Sequence, residues 1–120
     1  MTATSRRIDA LRARHDAAWR DPAAVAAQWQ EAGAVEDGLL SHRVRGHWWE
    51  TLAETGVTLL VTREYEHLAL ALRTTRRGPE VTYLRLPHPS GVTFDAARGV
   101  LHIASTRNPN QVYDLAPVVP

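Results

Sequence analysis

Residues 86–115 read LPHPSGVTFDAARGVLHIASTRNPNQVYDL, three strand-like runs cut apart by turn residues, and this stretch decides the fold. SGVTFD, VLHIAS and QVYDL are rich in β-branched, aromatic and aliphatic residues, while Ala96 to Gly99 and Asn108 to Asn110 carry turn chemistry. Pro87 and Pro89 interrupt any ladder just before the first run. Working back, VTYLRL (81–86) follows a turn at Arg76-Arg77-Gly78-Pro79. HLALAL (67–72) and VTLLVT (57–62) are apolar towards both faces, as strands covered on two sides are, and REYE joins them as a short hairpin connection. Six strands with short turns predict an antiparallel meander over residues 57–120.

The first 56 residues read differently. Between Ser5 and Arg20 the residues Ile8, Leu11, His15, Ala18 and Trp19 fall on one helical face, with arginines and Asp16 elsewhere. Asp21-Pro22 is an N-cap followed by proline at the first helical position, opening a second helix that carries Val25 and Trp29 and stops at Gly33. So alanine-rich a helix needs Trp19, Val25 and Trp29 packed against something. No element is assigned to AVEDGLLSHRVR (34–45), and HWWETLAETG predicts a short helix ended by Gly56. Trp48 and Trp49 read either as core at a helix–sheet junction or as a stacking platform for a sugar or base.

Thr58–Ala71 aligns with His102–Leu115 at an offset of 44, strand on strand, with Thr62-Arg63 over Thr106-Arg107. A period of about 40 to 45 residues per four-stranded unit is that of β-propeller blades. The residues Pro89, Gly91, Asp95, Gly99, Leu101, Ile103, Ala104 and Ser105 resemble a blade of the NHL-type six-bladed propellers, which enter by a proline and glycine, place an aspartate before the hairpin and follow it with a G-x-L-x-[IV]-A-[ST] strand. Residues 47–115 also resemble the start of an uncharacterised bacterial propeller-like family of unknown function. The fold expected is therefore mainly β with N-terminal helices, the meander forming about one and a half blades: strands two, three and four of one, then one, two and three of the next. The resemblance implies that copies of the chain, or a partner chain, supply further blades, with three chains of two blades closing a ring of six. A monomer in which the helices cap the sheet is the alternative.

Fourteen basic residues, all arginine, against thirteen acidic ones give a formal net charge of +1, which leaves no electrostatic footprint for nucleic acid or an anionic membrane. The chain has no cysteine, so disulfides and thiolate metal sites are excluded. No apolar stretch has the length of a membrane span, and a cytoplasmic chain is the expectation.

Motifs for a nucleophile elbow, a phosphate loop or a metalloprotease helix are missing from the sequence. What remains is scattered. His88, between two prolines, is the candidate metal ligand if symmetry copies or partners bring further histidines to it; otherwise it is a loop histidine. His67 reads as a surface pair with Glu66, and His102 as a satisfied core or inter-blade residue. Arg63, Tyr65, Arg107, Asn108 and Asn110, with Glu64, would form a polar rim for an anionic or peptide ligand, unless the repeated Thr-Arg ties one hairpin to its neighbour. These readings predict a ligand-binding or assembly module that works as an oligomer or as part of a larger propeller. The alternative is an enzyme whose metal- or arginine-based funnel site is completed across subunits, with His88, Arg63 and Arg107 the first residues to test. A degenerate relative without activity is a third reading. No cofactor is assigned.

Overall fold

The computed structural model describes residues 1–19, 21–106 and 110–118. Three α-helices, α1 (Ala3–Trp19), α2 (Pro22–Gly33) and α3 (Trp48–Thr55), precede six strands: β1 (Leu59–Arg63), β2 (Leu68–Thr75), β3 (Gly78–Arg85), β4 (Pro89–Asp95), β5 (Val100–Ser105) and β6 (Gln111–Leu115). The division of the chain into a helical first part and a strand meander is as the sequence predicts. The unassigned stretch after α2 contains one 3-10 turn, Asp37–Leu40.

Asp21 caps α2 as expected, its Oδ1 accepting the Ala23 N–H at 3.0 Å with Pro22 in the first turn. The end of α2 departs from expectation. Gly33 is still helical, and the stop falls at Ala34, whose N–H turns back to the carbonyls of Gln30 and Glu31. Gly56 does end α3, at φ 67, a left-handed conformation that costs a Cβ-bearing residue energy. α1 contributes little to the core: Ile8 and Leu11 stay 45% and 43% exposed. The Cα radius of gyration is correspondingly 18.3 Å, where a compact chain of this length has about 13.6 Å. Trp29 meets Tyr113 edge to face at 5.6 Å, tying α2 to the last strand.

The meander is two sheets, β1-β2-β3 and β4-β5-β6, each antiparallel. The break falls at Leu86–His88, where a buried Pro87 has no N–H to continue a ladder. The turn at Arg76-Arg77 sets the β2–β3 register, from Thr75 opposite Gly78 to Leu68 opposite Arg85. Between the sheets, Leu60, Thr62, Ala69, Ala71, Thr82 and Leu84 face Val92, Leu101, Ile103 and Leu115 across an apolar gap of about 170 Å³. The alanines of β2 are why this face packs incompletely. The opposite face of the first sheet is covered by α3 and the segment before it at Leu72, Thr74 and Tyr83, while Leu59 and Val61 of β1 on the same face stay 41% and 36% exposed. There Thr74 Oγ1 donates to the Trp49 carbonyl at 3.2 Å, and Tyr83 Oη lies 3.0 Å from His42 Nδ1. The other face of the second sheet is open, with Val112 64% exposed. On it His102 pairs across the strands with Asp114 at 2.6 Å, so His102 is a surface-side partner and not a core histidine.

Candidate functional site

The most buried side chains come from four places: Ala32 on α2, Leu68 at the start of β2, Leu86, Pro87 and Pro89 around the link between the sheets, and Ile103 on β5. His88 sits within the buried link. It is one of two non-glycine residues with positive φ among those described, at φ 43; the other is His67, at φ 54. Histidine tolerates the left-handed region better than most residues. A following proline, however, pushes His88 towards extended backbone, so its conformation is held against two preferences. Such strain costs about 1–3 kcal/mol and persists where the surroundings over-determine it.

His67 closes the β1–β2 turn, its N–H reaching the Glu64 carbonyl at 3.3 Å. Its own carbonyl accepts the Leu86 N–H at 3.0 Å, and its ring Nδ1 accepts the His88 N–H at 3.1 Å. Backbone and ring of one residue thus fasten the link between the sheets. The two imidazoles lie edge to face with centroids 4.3 Å apart. From α2, where Gln28 and Ala32 are buried on the same helical face, Glu31 brings Oε2 to 3.7 Å from His88 Nε2. One ligating atom from each of Glu31, His67 and His88 lies within 4.8 Å of the others. The His88 side chain is 14% exposed and that of Glu31 64%, so the group opens to solvent on the glutamate's side. His88 Nδ1 is buried with no hydrogen-bond partner among the described residues.

Burial, and then the neighbouring His88, hold the His67 pKa below its ordinary value, against the opposing pull of Glu31 and Glu66. A neutral imidazole at neutral pH is the form that ligates. Among the described residues Glu66 forms its ion pair with Arg63, at 3.1 Å, and not with His67.

The other sequence-predicted residues fall elsewhere. Arg63 ends β1 with its guanidinium on Glu66, and Tyr65 is exposed at the tip of the β1–β2 turn. Thr62 Oγ1 donates to the Ser90 carbonyl, tying the first sheet to the second. Thr106 Oγ1 donates to Glu64 Oε1 at 2.7 Å, so the two repeated Thr-Arg positions each carry a cross-link through their threonine. Asn110 is exposed ahead of β6. Arg107 and Asn108 lie outside the described residues.

Sequence reasoning picked out His88 but expected its companions from other subunits; the chain supplies them itself. Glu31 and His67 carry no local motif with it. One signal was legible: a two-residue turn at Arg76-Arg77 forces His67 opposite Leu86, which puts it two positions from His88. Glu31 had no such signal, because nothing local states where α2 lands. Among the described residues no helix is long and apolar enough to cross a membrane. Comparison of the chain with protein-family models, with curated proteins and with solved structures gives no match, and the likeness to propeller blades rests on the sequence pattern of residues 47–115 alone.

Proposed function

We propose that the chain is a binding module for a divalent first-row transition-metal ion, held by Glu31, His67 and His88. One observation carries this: three ligating groups from three separated segments converge within 4.8 Å. The donor set of two imidazoles and a carboxylate suits zinc, iron(II) or a similar ion, and leaves positions open for water or a substrate.

Ligation has a cost that can be weighed. His67 Nδ1 is engaged by the His88 N–H. Coordination through Nδ1 displaces that bond, and coordination through Nε2 puts the proton on Nδ1 and displaces it too. One neutral hydrogen bond is worth about 0.5–1.5 kcal/mol, whereas a four-ligand structural zinc site gains about 10–16 kcal/mol. Even a three-ligand site that gains a fraction of this outweighs the exchange. The bound state also gives the Glu31 carboxylate a full counter-charge beside the two imidazoles.

Tag-free protein stripped with chelator and dialysed against zinc should retain about one ion per chain by elemental analysis. Glu31→Gln, His67→Asn and His88→Asn should each lower that retention. Retention unchanged in all three variants would place the metal elsewhere, and no retention in the parent chain would end the proposal.

Assembly is the second reading, favoured by the open face of the second sheet, where Val112 is 64% exposed. Because α3 occupies the corresponding face of the first sheet, this reading allows one neighbour per chain.

A further inference from the structure

The segment Ser41–His47 lies far from the histidine pair in sequence and carries a separate arrangement. His42 anchors it to the first sheet through Tyr83 and by an edge-to-face contact with Trp49 at 6.3 Å. Gly46, at φ 65, turns the chain into α3. Between anchor and turn, Arg43 and Arg45 are exposed, and neither forms an ion pair with a described residue. The segment and α3 enclose a cleft of about 550 Å³ lined by His42, Arg43, Val44, Arg45, Trp48 and Leu72, with no carboxylate among its walls. A second cleft of about 400 Å³ adjoins it across Arg45 and Trp48. The Trp48 indole is the shared wall. It is 38% exposed and is held by Trp49 edge to face at 4.9 Å and 83°.

A fixed, half-exposed indole beside two uncompensated guanidinium groups is matched chemically by a flat ring carrying an anionic group. The guanidinium forks suit phosphate oxygens, and an indole face stacks a base without regard to its hydrogen-bonding edges. A free phosphate would leave Trp48 unused, and an uncharged sugar would leave the arginines unused. The size falls within the range of small-molecule sites. We infer that this cleft binds a nucleoside monophosphate, the base against Trp48 and the phosphate between Arg43 and Arg45.

Titration calorimetry on the full chain in chelator, which keeps a metal at the histidine pair from contributing phosphate affinity, tests this. AMP should bind with a Kd below about 1 mM, and adenosine and inorganic phosphate each about tenfold or more weaker. The double variant R43Q/R45Q, at exposed positions that leave folding intact, should weaken AMP about tenfold or more. Trp48→Phe keeps a stacking face and should stay within about threefold of the parent, while Trp48→Leu should lose about tenfold. Absence of AMP binding at millimolar concentration, equal affinity for phosphate and AMP, or AMP binding unchanged in R43Q/R45Q would each overturn the inference.

Discussion

Replacing His88 by asparagine removes an imidazole from the proposed metal site while keeping a residue that tolerates left-handed backbone, so the φ of 43 can persist. Without metal the substitution loses the ring contact with His67 at 4.3 Å and the 3.7 Å contact with Glu31. A contact with one partner so exposed contributes about 0–1 kcal/mol and an edge-to-face ring pair about 0.5–1.5 kcal/mol, so the metal-free variant should melt about 2–15 °C below the parent. With zinc the two should diverge. A ligand present at about 100 times its Kd stabilises the folded state by about 2.7 kcal/mol, and for a domain of this size each kcal/mol shifts Tm by about 3–6 °C. Zinc should therefore raise the parent's Tm by about 8–16 °C and leave that of His88→Asn nearly unmoved. Differential scanning calorimetry on tag-free protein, with chelator and with zinc, reads both numbers. An equal rise in the two proteins would refute the reasoning, since the ion would then sit on other histidines, and so would no rise in the parent.

Leu68, fully buried at the start of β2, should cost about 2–5 kcal/mol when cut to alanine, measured by urea unfolding. Removing the α2 cap with Asp21→Ala should cost about 0.5–2 kcal/mol in the same assay. Burial raises the Tyr113 pKa above its ordinary 10.0, so the folded state holds the phenol proton more tightly than the unfolded chain does. Its contribution to stability is complete below pH 10 and is lost as pH rises through the raised value; Tyr113→Phe should flatten that alkaline fall in denaturant titrations. Light scattering should give a mass of 13.4 kDa or twice that. A three-chain ring needs both outer sheet faces, and α3 lies on one of them, so a trimer mass would overturn this packing argument.

The three α-helices, the six strands and their order were legible along the chain, and only the 3-10 turn at Asp37–Leu40 was not. Period-2 apolar runs, the Arg76-Arg77 turn and the Ala96–Gly99 hairpin are local features, and Asp95 alone builds much of that hairpin by accepting the N–H groups of Ala97 and Arg98. Asp21-Pro22 and Gly56 likewise act within one turn of chain, which is why their effects are readable without neighbours. Gly33 misled because nothing in its own chemistry obliges a helix to stop there; it remains helical, and Ala34 takes the cap. Packing between distant segments is what divides the meander into two facing sheets and lays α3 against β2 on the outer face of the first. It alone decided that Glu31 reaches His88. These outcomes depend on where separate surfaces bury, Ala69 and Ala71 towards one sheet and Leu72 and Thr74 towards α3, and burial is a relation between distant residues. The stretch 86–115 wrote down its strands and set His88 between two prolines, but the strain of that histidine and the residues that meet it were chosen by packing.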